Sequence, residues 1–272
     1  MKNPIFKIFF GLFLIFSVCV SIFGQENKDS AQTCNADKNK VKKEEKKDPL
    51  NLEDCAPQDY DCKIDYYTEK IAKTEDSEDW CNSCDYYQDR GIAYYEKGDF
   101  TNALSDFNFV IKNGRFIGLS SLYRGKIYEK KGNYDSALSD YLKFQSDQGL
   151  LGIGNIYRYK REHEKALEYY NKAIVKNYRL SKAYFGRAVI YLELGRILNQ
   201  KESEEDKTKA IQYFKDALKE LDSVIEIDLN YTEAETYLRR SQVYRQLGET
   251  EKADADFQKY NELDEAAKIK QF

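Results

Sequence analysis

Histidine is almost missing from this 272-residue chain, which has only His163. Ser–His–Asp or Cys–His catalysis would have to use that residue, and no nucleophile in a diagnostic motif adjoins it. An HExxH pair is absent, as is any glycine loop able to cradle phosphate. Positive charge is not in excess either. The formal net charge is −4, which leaves no basic footprint for nucleic acid. The string W-C-N-S-C-D (Trp80–Asp85) places Asp85, not His, after its second cysteine, which excludes covalent haem attachment by that motif. Carboxylates are plentiful, but in a chain that is 33% charged they mark solvated helix faces.

What is present begins with the N-terminus. Lys2 and Lys7 flank the start of an uncharged apolar run from Ile8 to Phe23, and Gln25, Glu26, Lys28 and Asp29 then turn abruptly polar. This layout predicts a secretory signal peptide over 1–24, cut after the small residue Gly24. The run is shorter than the about 20 apolar residues of a membrane span. Cys19 follows Val18 and Phe16, a poor setting for lipidation. The expectation is an exported chain, periplasmic or extracellular, with outer-membrane association open. Residues 25–59, which include the charged run Lys38–Lys47 and few large apolar side chains, cannot bury enough surface to fold and read as a disordered linker.

Cleavage would leave Cys34, Cys55, Cys62, Cys81 and Cys84. In an oxidising compartment these read first as disulfides, with Cys34 in the linker as the odd one. Cys55, Cys62, Cys81 and Cys84 would then brace a cap over residues 60–83. A bridge from the 55–62 region to the 81–84 region would close a loop of about 20 residues and contribute about 3 kcal/mol. Four thiols also match zinc in number, although the Cys55–Cys62 spacing is that of no ribbon or finger. A redox couple at Cys81 and Cys84 would want a strand before it, and none is legible. Neither metal nor cofactor is expected. Thiol–disulfide oxidoreductase activity through Cys81 and Cys84 stands as the alternative to a non-catalytic chain.

From Cys84 onward the sequence repeats itself. R-G-I-A-Y-Y-E-K-G-D-F-T-N-A-L-S-D-F (Arg90–Phe107) matches R-G-K-I-Y-E-K-K-G-N-Y-D-S-A-L-S-D-Y (Arg124–Tyr141) at a step of 34 residues. A third copy carries Gly154, Tyr157, Ala166, Tyr170 and Ala173; a fourth, Ala188, Tyr191 and Gly195; a fifth, Ser241, Tyr244, Gly248, Ala253 and Phe257. The small residues let helix backbones approach, and the aromatics fill the space between helix pairs. Gly98, Gly132, Gly195 and Gly248 read as the ends of first helices, where a left-handed residue is cheapest. Arg161 replaces this glycine in the third copy, so its turn is expected to differ.

This pattern resembles the tetratricopeptide repeat, a helix–turn–helix unit of 34 residues. The resemblance covers roughly residues 84–265 and implies an all-α, right-handed α-solenoid of about five repeats over 84–272. A second regularity supports the copies. Arg90, Arg124, Arg187 and Arg240 each precede the small position, and Asp106, Asp140, Glu220 and Asp256 each precede the second-helix aromatic position. The third copy has Ile153 and Tyr169 instead, and this joint loss predicts an ion pair between helices.

Two irregularities interrupt the array. The step from Gly125 to Gly154 is 29 residues, which clips the second helix of repeat two and forces an early turn over Gln145–Leu151. After Gly195 about seventeen residues are inserted before Ala217, yet Ala210, Ile211 and Phe214 keep helical spacing. That predicts a helical-hairpin extension at about 196–216 with its tip near Lys201–Asp206. Upstream, Cys62–Ala72 looks like a second helix without its first.

The resemblance also implies a role: binding a protein or peptide, not nucleic acid, in a groove lined by first helices. The family's groove offsets fall on Gln88, Ile92, Tyr95, Lys126, Glu129, Asn155, Arg158, Val189, Leu192, Gln242 and Arg245. The Lys/Asn clamp for C-terminal carboxylates is not matched, because Gln88 and Ile92 occupy its positions in repeat one. A non-enzymatic scaffold follows as the expectation.

Overall fold

The computed structural model describes residues 51–75, 80–114, 116–227 and 234–269, with the side chains of residues 75 and 80–82 set aside. The expected signal peptide, Cys34, most of the linker and the Cys81 side chain lie outside what is described. Among the described residues there are eleven α-helices, one 3-10 turn (Leu52–Asp54) and no strand. None of these helices is long and apolar enough to cross a membrane. The chain divides into two compact units, one ending at Ile117 and the other beginning at Gly118.

The first unit holds α1 (Tyr60–Glu75), α2 (Trp80–Lys97) and α3 (Phe100–Lys112), with α1 packed on α2 and α2 on α3. Ile64 and Ile71 of α1 are buried, and no helix but the short 3-10 turn precedes α1 among the described residues. The second unit opens with α4 (Ile117–Lys130) and continues through α5 (Tyr134–Lys143), α6 (Asp147–Tyr159), α7 (His163–Lys176), α8 (Ser181–Asn199), α9 (Glu204–Ile227), α10 (Ala234–Gln246) and α11 (Thr250–Ile269). Its helices form hairpins α4–α5, α6–α7, α8–α9 and α10–α11.

Three of the turns inside hairpins share one construction. Gly98, Gly132 and Gly248 adopt φ of 89°, 73° and 79°, where a side chain would be strained. At the first turn the Gly98 N–H donates to the Tyr95 carbonyl and the Asp99 N–H to that of Tyr94, while the Asp99 carboxylate caps α3 at the Asn102 N–H. The third copy was expected to turn differently and does not. Arg161 adopts φ 60° and makes the same pair of bonds, to Arg158, with Glu162 bonding Tyr157. The bonds and the packed hairpin hold a conformation that costs a non-glycine residue about 1–2 kcal/mol.

Gly195 corrects a second expectation. It does not end a helix but lies inside α8, where an added Cβ would meet Phe214 Cε1 at 2.5 Å. This glycine serves close approach of two helices. The first helix of repeat four therefore runs on to Asn199, and α9 starts at Glu204. The clipped helix is present too: α5 has 10 residues against 13 in α3, and Ser146 caps α6 through the Gly149 N–H.

The disulfide differs from expectation. Cys55 bonds to Cys62, their Cα atoms 5.6 Å apart, so neither is available to bridge to the 81–84 region. The 3-10 turn and the start of α1 fold back on each other, which brings this local pair into range. Cys84 lies buried in α2.

The arginine–acid pairs are formed. Arg90 donates from Nε and Nη2 to Asp106 at 2.9 and 2.8 Å, Arg124 to Asp140 at 2.7 Å on both arms, and Arg240 to Asp256 at 2.7 and 2.8 Å. Each pair spans 16 residues; Arg187 reaches Glu220 across 33, and the difference is the insertion. In the third copy Ile153 is fully buried, and Tyr169 packs against the same apolar cluster.

Two outcomes test these points. Arg161→Gly should raise stability by about 0.5–1 kcal/mol, since release of strain outweighs the added unfolded-state freedom, and the urea midpoint would show it. Arg90→Asp or Asp106→Arg alone should cost about 3 kcal/mol or more, and combining them should recover at least half, as a double-mutant cycle in urea would reveal.

Candidate functional site: a polar chain on the first helices of repeats two and three

Three of the residues assigned to the groove meet in the second unit. Glu129 ends α4, while Asn155 and Arg158 lie one turn apart on α6. The Asn155 amide donates to Glu129 Oε1 at 3.4 Å. Two tyrosines from second helices complete the arrangement. Tyr141 donates its hydroxyl to Glu129 Oε2 at 2.6 Å, and Tyr170 donates to Asn155 Oδ1 at 2.9 Å. Both rings are buried, so only their hydroxyl ends reach this polar line. Burial pushes the Tyr170 hydroxyl up to about 12, against the pull of the Arg158 guanidinium beside it. It is therefore a neutral donor at pH 7, and Arg158 remains a cation.

Glycines explain how the tyrosines arrive there. A Cβ on Gly125 would lie 2.8 Å from Tyr141 Cε1, and one on Gly152 would also strike that ring. A Cβ on Gly154 would lie 2.6 Å from Tyr170, and Gly186 presses the same ring from the next first helix. Each tyrosine is clasped between its own first helix and the following one, which leaves its hydroxyl a single direction. Around the chain lie further side chains suited to contact. Arg158 covers the Tyr159 ring at 4.7 Å, the half-exposed Tyr159 stacks on Tyr134 at 5.6 Å, and Lys126 covers Tyr123 at 5.0 Å.

The other assigned positions fare differently. Val189 and Leu192 are buried, and Leu192 belongs to an apolar cluster with Ala210, Phe214, Ala217, Leu221 and Val243. They are core, because the lengthened α8–α9 pair and α10 enclose them. Gln242 accepts from Arg196 at 3.0 Å, and Asn199 reaches Gln246 at 3.4 Å, so the extension itself lies along α10. Arg245 is exposed, 3.7 Å from Asp254 and over the Phe257 ring. In the first unit Gln88 is buried, Ile92 and Tyr95 are half-buried, and the Tyr95 ring lies 5.7 Å from Phe100.

Models of the tetratricopeptide repeat match residues 89–148, 151–225 and 234–266, together more than half of the chain. The chain belongs to the tetratricopeptide repeat family. With that comes the all-α, right-handed solenoid class of fold. A crystal structure of MamA protein is 21% identical at a TM-score of 0.49, covering 67% of this chain and 92% of that one. YrrB, described as a TPR protein with an unusual peptide-binding site, is 16% identical at 0.49, covering 77% of this chain and all of that one. A monomeric mutant of IFIT1 with Gppp-AAAA reaches a TM-score of 0.57 at 13% identity, covering 76% of this chain and 47% of that one. These likenesses concern fold. No curated protein matches the sequence.

Within this tetratricopeptide array, Tyr141 and Tyr170 were legible only as core. The available signal was tyrosine at positions where repeats one, four and five carry Phe107, Leu221 and Phe257. A hydroxyl retained at a fully buried ring position calls for a partner. Tyr170→Phe should cost about 1 kcal/mol by removing the bond to Asn155 while keeping the clasp, measurable as a lowered urea midpoint with unchanged helicity.

Proposed function

We propose that this protein is a non-catalytic scaffold that holds a polypeptide segment against the first-helix face of repeats two and three, after export to the cell envelope or beyond. The observation that carries the reading is the chain Tyr141–Glu129–Asn155–Tyr170, which fixes the carboxylate and amide before any partner arrives. Preorganised polar groups beside an exposed aromatic and a cation suit backbone amides and mixed side chains, since little side-chain freedom remains to be lost. The family acts by binding, and the face bears both signs of charge, so the partner needs no strong charge of its own. The net charge of −4 speaks against nucleic acid.

Export rests on the layout of residues 1–24 and is in keeping with a disulfide at Cys55–Cys62. The alternative, thiol exchange through Cys81 and Cys84, is disfavoured by burial. Reactive thiols are partly exposed, and Cys84 is 1% exposed.

A photo-crosslinking residue at Lys126 or Arg158 of the full chain, in its native envelope, should form polypeptide adducts. The same residue at Lys172, exposed on α7, should not. Adducts of equal yield from all three positions, or none from the first two, would sink the proposal. Adducts arising instead from Lys201–Asp206 would move the contact to the hairpin tip.

A further inference from the structure

The first unit contains a cleft that the repeat pattern does not account for. α1 stands where a preceding repeat would place its second helix, and only the short turn Leu52–Asp54 precedes it among the described residues. A cleft of about 270 Å³ lies between this turn, α1 and α2. The Cys55–Cys62 bond fastens the turn to α1, so two of its walls are covalently joined.

The lining is aliphatic and aromatic on most sides, from Leu52, Tyr60, Ile92 and Ala93. Its polar groups are the Tyr67 hydroxyl and the carboxylates of Asp89 and Glu96, together with Lys63. The lysines of this region are already engaged. Lys63 donates to the Pro57 carbonyl at 2.5 Å and lies over the Tyr60 ring, and Lys97 pairs with Asp61. The groups acting on Asp89 besides burial are the like charge of Asp85 and the Tyr67 hydroxyl, and its carboxyl is pushed above the usual range. A half-buried carboxylate so placed gains from a cation.

We propose that this cleft receives a lysine side chain of a polypeptide partner. The four-carbon stem lies along Leu52, Ile92 and Ala93, and the ammonium reaches Asp89 beside the Tyr67 hydroxyl. The volume is below that of pockets for drug-sized ligands and suits one side chain. The assignment to a polypeptide rests on the proposed scaffold function, and the cleft would supply that scaffold with a sequence preference.

The test uses the oxidised full chain, methyl-labelled at Ile and Leu, titrated with acetyl-Gly-Lys-Gly-amide, its norleucine counterpart, and cadaverine. The lysine tripeptide should shift the Leu52 and Ile92 methyl resonances saturably, with the norleucine tripeptide binding about tenfold more weakly. Asp89→Asn should weaken lysine-tripeptide binding about fivefold. Equal binding of the two tripeptides, or no methyl shift with either, overturns the proposal. Cadaverine binding tighter than the lysine tripeptide overturns the assignment to a polypeptide. The tripeptide reports on the cleft alone and the cross-links on Lys126 and Arg158, so either reading can fail without the other.

Discussion

In repeats one, four and five a single arginine joins three helices, and the placing of those hairpins depends on it. Arg90 grips Asp106 on its own second helix with two arms and donates its third, Nη1, to Thr68 on the helix before. Arg187 does the same with Glu220 and Asn171, and Arg240 with Asp256 and Asp222. The acids are nearly buried, so a misplaced helix would strand a carboxylate without its partner, which costs about 3–5 kcal/mol. A planar guanidinium fork tolerates little rotation. The clamp therefore sets the angle and register of each hairpin more than it adds net stability. The third repeat replaces the pair with Ile153 and Tyr169 and keeps its hairpin, so there apolar packing sets the geometry instead. Well-packed apolar residues can stand in for a buried ion pair at little cost.

Packing and site share residues in repeats two and three. The rings of Tyr141 and Tyr170 fill the space between successive first helices, held by pairs of glycines, and their hydroxyls end on Glu129 and Asn155. A displacement of either helix would move the hydroxyl and with it the groups on the exposed face. Contacts in a repeat array run mainly between neighbours, so such coupling remains local.

Features that repeat were readable from the chain, because each copy checks the others. The helices, the left-handed glycines, the clipped α5, the inserted turns and the clamps all follow from residues recurring at fixed offsets. Departures were harder. Arg161 has no Cβ-free excuse for its turn, yet the turn forms because its backbone bonds are made by any residue. Gly195 stands at a helix-ending offset, but the insertion continues the helix and turns the glycine into a contact with Phe214. Val189 and Leu192 match groove offsets by number, whereas their surroundings are set by the lengthened neighbours, which no offset encodes. Of the candidate site, Glu129, Asn155 and Arg158 were legible as positions. Their joining by tyrosine hydroxyls was not, because a ring counted as core reveals nothing about where its oxygen points.

In the first unit, burial, an arginine and a disulfide divide the work of holding one helix and one turn. α1 buries Ile64 and Ile71 and receives the third arm of Arg90, as any second helix in the array would. The Lys97–Asp61 pair is exposed and adds little. No first helix precedes α1 among the described residues, so the turn at Leu52 has few neighbours of its own. Closing the short loop between Cys55 and Cys62 contributes about 2 kcal/mol, enough to hold such a turn in place. The bond therefore does not tie the cap to repeat one, a task that burial and the arginine already perform. It ties the turn to the cap, and by doing so keeps Leu52 facing Ile92 across an open cleft.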